Sequence, residues 1–192
     1  CTLVFSKAAG GLSAWTVNGK PLLDRAPAFQ AYRAFTDNDK GFGNWLAKDW
    51  KAAGLDKPVK TVTSFKPGAE TADGFPLEVV AIYRYAEGSI THTQSYLVRR
   101  DGSFLLNNHF MPQGNLPDLP RMGVTLALSS QLEHYTWLGH GPYDNYADRK
   151  EGCPVGVWSS TVTEQTVPYP RPQACGNKEG VRWLTLTDPA GR

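Results

Sequence analysis

"FPLEVVAIYRYAEGSITHTQSYLVRRDGSFLLNNHFMP", residues 75–112, decides the fold. Apolar and polar residues alternate through it, and turn signals cut it at Glu87-Gly88 and Asp101-Gly102. In a strand, successive side chains point to opposite faces. Val79, Ala81, Tyr83 and Tyr85 therefore share one face, and Val80, Ile82 and Arg84 the other. Asp-Gly supplies the positive φ angles that a compact hairpin turn needs. The stretch predicts three successive antiparallel strands.

The same pattern continues in both directions. "TLVFS" (2–6) and "LSAWTVNGKPLL" (12–23) alternate, the second turning at Asn18-Gly19. "VKTVTSFK" (59–66), "GVTLALSS" (123–130), "HYTWLG" (134–139), "GVWSSTVTEQ" (156–165) and "VRWLTLTD" (181–188) complete the set of strands. Short strands with frequent turns predict a large antiparallel all-β sandwich. One segment differs: "NWLAKDWKAAGLD" (44–56) places Trp45, Leu46, Asp49, Trp50 and Ala53 near helical spacing, with Gly54 to end it. One short helix over 44–53 is expected. Glycines and prolines are scattered at turns, and no repeat or linker divides the chain, so residues 1–192 are expected to form one domain.

Composition bounds the function. The 192 residues are 41% hydrophobic and 11% aromatic, enough for a sizeable core. Net charge is +2 with no basic or acidic tail, which argues against nucleic acid or an anionic membrane as partner. No apolar run approaches the roughly 20 residues that span a bilayer. Cys1, Cys153 and Cys175 make no disulfide framework and no zinc spacing. Reduced, buried thiols are the expectation, with a Cys153–Cys175 bridge as the alternative.

Candidate chemistry is sparse. The sequence holds no GxSxG, HExxH or P-loop. "DNDKG" (37–41) departs from a calcium loop in the place of its glycine, and reads locally as Asx side chains capping a turn before the helix. Glycoside hydrolysis needs two carboxylates flanking the scissile bond, and no persuasive pair stands out. His92, His109 and His134 read as structural histidines. His140 differs because Gly139 and Gly141 flank it, allowing a sharp turn that exposes the ring. Six Trp and eight Tyr beside Asp, Asn and Arg suit both a core and stacking on sugar rings. The densest such mixture is "YTWLGHGPYDNYADRK" (135–150).

"YRAFTDNDKG" (32–41), "LPRMG" (119–123), "WLGHGPYDNYADRK" (137–150) and "TVTEQTVPYPRPQACGNKEGVRWLTLTD" (161–188) occur in that order. Together they resemble the C-terminal, or small-chain, domain of the β-galactosidases of glycoside hydrolase family 2, a likeness that runs from Phe5 onward. The resemblance implies a galactose-mutarotase-like β-supersandwich, truncated here at its C-terminus and also at its N-terminus. It implies an accessory role in hydrolysis of terminal β-D-galactosides by a longer polypeptide whose catalytic glutamates lie on a separate TIM barrel. No residue of this chain is then catalytic, and it should not hydrolyse lactose alone. A stand-alone carbohydrate-binding module or an aldose mutarotase is the alternative.

Further expectations follow from the resemblance. The loop after the "DND.G" motif lies at the active-site rim and moves when sugar binds, which maps onto Gly41, Phe42, Gly43 and Asn44, with Asp37, Asn38 and Asp39 supporting it. Gly41 and Gly43 allow positive φ, and Asp37 and Asp39 would accept backbone N–H bonds at the loop base. His140, Tyr143, Asp144, Asn145 and Arg149 are candidates for sugar or domain contact, although the stretch reads as scaffolding before catalysis, with Asp148 able to pair with Arg149 or a distant base. His140 stands where the family usually has Arg, and Ala174-Cys175 where it commonly has Glu-Asn. The family's pocket tryptophan would lie beyond Arg192, and Trp183 is not that residue. No cofactor is expected in this chain, with Mg or Na assigned to another domain of the full enzyme. Expected partners are the rest of the polypeptide, the galactoside and further copies in a homo-oligomer, in the cytoplasm or alternatively the periplasm.

Overall fold

The alternation of residues 75–112 is realised as a meander. The structure, a computed structural model, describes residues 1–41, 43 and 45–191. Two compact units are present. The first (Cys1–Arg33 with Asn38–Leu128) carries β1 (Thr2–Ser6), β2 (Gly11–Val17), β3 (Lys20–Pro21), β4 (Leu23–Gln30), helix α1 (Leu46–Ala52), β5 (Val59–Pro67), β6 (Phe75–Arg84), β7 (Gly88–Val98), β8 (Phe104–Gly114) and β9 (Gly123–Leu128). The second (Ala34–Asp37 with Ser129–Arg192) carries β10 (His134–His140), β11 (Val155–Thr161) and β12 (Trp183–Thr187).

In the first unit β5, β6, β7 and β8 pair in sequence order as a four-stranded antiparallel sheet. One face is apolar: Leu77, Val79, Ala81 and Tyr83 of β6 and Ile90 and Tyr96 of β7 are all buried. Two smaller sheets cover it. β1-β2-β3 brings Leu12 against Leu77, Val79 and Tyr96. β4-β9 brings Phe29 against Ala81, Tyr83 and Ile90. Edge-to-face pairs lock the layers, Phe5 on Tyr96 at 5.0 Å and Trp15 on Phe104 at 5.3 Å between centroids. The result is the expected sandwich, and among the described residues no sheet closes into a barrel.

Local expectations hold at the turns. Asn18 and Gly19 take φ 50° and 76° between β2 and β3, the positive pair an Asn-Gly hairpin turn requires. Helix α1 is two turns long, and Gly54 follows its C-cap at φ 70°. Trp45, however, stands at the N-cap, outside the helix, and is 61% exposed. Strand β4 has no counterpart in the sequence reading. It contains Asp24, Arg25 and Pro27, and its register with β9 slips between Leu23 and Arg25 and between Arg25 and Ala28. Irregularities of this kind erase the period-two pattern.

A polar seam runs through the covered face. His92 and Gln94 point inward between Ile90 and Tyr96, and both are buried. Tyr96 donates to Gln94 Oε1 at 2.6 Å, and Gln94 Nε2 donates to the Gly10 carbonyl at 3.4 Å. Lys60 donates to the Ala9 carbonyl at 2.5 Å. The β1–β2 turn is thus held by side chains of the large sheet. A Cβ on Gly11 would stand 3.1 Å from the Tyr96 hydroxyl, at φ +139°, so no other residue fits there without strain.

His92 sits deepest. Its Nε2 bonds Asn108 Oδ1 at 2.9 Å, its ring stacks on Phe110 at 4.5 Å, and its Nδ1 is buried with no hydrogen-bond partner. Burial first, and then the Lys60 charge, hold its pKa below the ordinary value, against the opposing pull of Asn108. A proton therefore binds the unfolded chain more readily than the folded one. Stability contributed by neutral His92 is present above about pH 6.5 and lost as pH falls from there towards the folded value. Chemical denaturation should show that loss as pH falls below about 6.5, and His92→Phe should flatten it. An identical acid limb in the variant would assign the loss to another group.

Candidate functional site

Two places carry the sequence-derived candidates. In the first, residues 37–40 form a single 3₁₀ turn ahead of α1. Asp39 is 5% exposed, and its carboxylate takes two bonds from Arg33, 2.6 Å from Nη1 and 3.1 Å from Nη2. The guanidinium also lies over the Trp50 ring, 5.3 Å from its centroid. Trp50 in turn donates its Nε1–H to the Asp118 carbonyl at 2.8 Å. The backbone N–H of Asp37 bonds Gln173 Oε1 at 3.3 Å within the second unit. Asn38 is exposed. Gly43 has φ +83° with open space around it, so only the backbone opposes a side chain at that position. Phe42 and Asn44, two of the four candidate rim residues, lie outside the described residues. The sequence reading missed Arg33 and the exposed Trp45. Arg33 left no local signal, because its partners come together only in the fold.

The second place is the stretch after β10. His140 ends that strand and is half-buried, and its Nδ1–H donates to the Cys153 carbonyl at 2.5 Å. The flanking glycines do not expose it, contrary to expectation. They answer crowding: a Cβ on Gly139 would meet Val181 Cα at 3.0 Å, and one on Gly141 the Trp158 ring at 2.5 Å. The Gly141–Pro142 peptide is cis, and Tyr143 beyond it is 75% exposed.

Asn145 is fully buried and joins two loops. Its Nδ2 donates to the Tyr143 carbonyl at 3.0 Å, and its Oδ1 accepts the Glu179 N–H at 2.7 Å. Its backbone N–H reaches the Asn177 carbonyl at 2.8 Å, and Asn177 Nδ2 returns a bond to the Asn145 carbonyl at 2.8 Å. Arg149 takes Asp144 as its carboxylate partner at 3.2 Å, rather than Asp148, and covers the Tyr146 ring at 4.6 Å. Tyr169 also donates to Asp144, at 3.4 Å. Lys178 lies over the buried Trp137 ring at 5.2 Å, and burial pushes its pKa down against the pull of Asp144 and Cys153. Burial, and next the Asp144 charge, push the Tyr146 phenol up.

This arrangement holds loops together. It leaves Tyr143 exposed and Arg149 half-exposed, and encloses Asn145. All three cysteines are free: Cys153 is buried as expected, whereas Cys1 and Cys175 are exposed. Among the described residues no three His, Cys, Asp or Glu side chains stand close enough to share a metal ion. No described helix is long and apolar enough to cross a membrane. Asn145→Ala should cost about 1–3 kcal/mol in urea denaturation, because the Glu179 N–H and Tyr143 carbonyl lose their buried partner. An unchanged midpoint would show that water replaces the amide freely.

The chain is similar to known proteins along its whole length. Residues 1–191 match the family model described as β-galactosidase small chain. It is 31% identical over 195 residues to a β-galactosidase of Priestia megaterium, covering 100% of this chain and 18% of that protein. A β-galactosidase of Vibrio cholerae is 33% identical over 95% of the chain, and one of Lactobacillus delbrueckii subsp. bulgaricus is 33% identical over 98%. In both, the match again spans 18% of the relative's length. The ordered motifs, the antiparallel sandwich and this end-to-end match agree: the chain belongs to the β-galactosidase small-chain family.

Proposed function

We propose that the chain is the accessory small-chain domain of a longer β-galactosidase that hydrolyses terminal β-D-galactosides. The observation that carries this reading is the match of residues 1–191 to the small-chain family, in relatives where the matched part is 18% of the length. In this reading the chemistry belongs elsewhere, to glutamates on a TIM barrel of the same polypeptide. The small chain completes the rim of their site and carries part of the surface through which copies assemble. Any Mg or Na the enzyme uses belongs to another domain.

The rim is assigned to Gly41, Phe42, Gly43 and Asn44, with Trp45 as an added aromatic face. Positive φ at Gly43 and the 61% exposure of Trp45 support it. A flat indole presents the apolar surface on which a sugar ring stacks. Groups at a rim orient substrate and exclude water, so they act on binding and turnover together. Tyr143 and Arg149, exposed on the second unit, are assigned to contact with sugar or a neighbouring domain.

Two measurements test the proposal. The 192-residue chain alone should show no turnover of a nitrophenyl β-galactoside; turnover abolished by replacing an acid of this chain would overturn it. In the longer enzyme, Gly43→Ala should strain the backbone by about 1 kcal/mol. KM and kcat should then shift together, and Trp45→Ala should raise KM. Unchanged kinetics in both variants would remove these residues from the rim.

A further inference from the structure

Residues 37–40 and 46–52 flank the assigned rim loop, and one side chain of the first unit holds both flanks. Arg33 grips Asp39 ahead of the loop with two in-plane bonds, at 2.6 and 3.1 Å. The face of the same guanidinium covers Trp50 behind it, at 5.3 Å. Both partners are enclosed, Asp39 at 5% and Trp50 at 2% exposure. A guanidinium can do this because its donors lie at its edge and leave its face free for a ring. An ammonium has neither the fork nor the plane.

We propose that Arg33 is the positioning residue of the rim, a clamp that fixes the spacing between the chain entering the loop at Asp39 and the helix leaving it at Trp50. Its bearing on galactoside turnover rests on the rim reading given above; the clamp itself does not. Asp39 brings the entering segment to the guanidinium edge, and Trp50 brings the helix to its face. Trp50 is itself anchored through the Asp118 carbonyl. Loss of Arg33 therefore removes this tie between the two flanks without touching the buried residues of the sandwich core.

A clamp differs from a merely structural ion pair in a way that can be measured. Removing one partner of a buried pair strands the other charge, whereas removing both often restores stability. Arg33→Met should lower the melting temperature, and Arg33→Met with Asp39→Asn should recover most of it. Neither variant restores the two-sided tie. Hydrogen–deuterium exchange of the 192-residue chain should therefore be about tenfold faster across 37–52 in Arg33→Lys and in the double variant, with β6 and β7 unchanged. In the longer enzyme the same two variants should shift kcat/KM by about tenfold or more, with KM and kcat both altered. Parental exchange across 37–52 in the stable double variant would overturn the clamp. Fast exchange with parental KM and kcat would uphold the clamp and overturn the rim reading instead.

Discussion

A four-stranded meander with one apolar face cannot stand alone in water, and the first unit is organised around covering that face. β5–β8 brings Leu77, Val79, Ala81, Tyr83, Ile90 and Tyr96 to one side. Antiparallel strands alternate sides, so this concentration is possible only with the other side left polar or half-exposed. Two small sheets supply the cover, and neither has a self-sufficient core. Leu12 and Phe29 are buried against the large sheet. The hairpin turn at Gly10-Gly11 is held by Gln94 and Lys60 of that same sheet. What looks like three sheets is one apolar face and the pieces that keep water off it.

The polar seam shows what this arrangement costs. His92, Gln94 and Tyr96 occupy inward positions where Val or Ile would be simpler. Gln94 and Tyr96 satisfy each other and the Gly10 carbonyl, whereas His92 keeps one ring nitrogen without a partner. A buried polar network fixes how layers meet, because only one register satisfies it. The acid sensitivity expected at His92 follows from placing a titratable ring there.

The meander was legible in the sequence because its alternation is strong and its turns are marked by Gly. The Asn18-Gly19 hairpin and the helix stop at Gly54 were legible for the same local reason. Strand β4 was not, since Pro27 and two register slips interrupt its pattern. Nor could alternation alone choose a face for "SITHTQSYLV", where Thr and Ser line one side and His and Gln the other. At the candidate site the motifs were legible and the contacts were not. Gly139 and Gly141 read as a sharp turn exposing His140, but they admit Val181 and Trp158, which lie far along the chain. Asn145 likewise bonds residues 177 and 179, and Arg33 joins Asp39 to a helix that begins after the loop. Pairings of that kind depend on topology that periodicity does not encode.

Among the described residues, Arg33, Gln94 and Asn145 each hold another segment in place. On the function proposed above, the chain positions while the acid and base of the longer enzyme lie outside it. The pH dependence of kcat/KM in the longer enzyme tests it most directly, because its two limbs report the acid and base of the free enzyme. Asp37→Asn, Asp144→Asn and Glu179→Gln, each with its fold verified, should leave both limbs where they stand. Disappearance of one limb in any of these variants would place a catalytic proton on this chain and contradict the account.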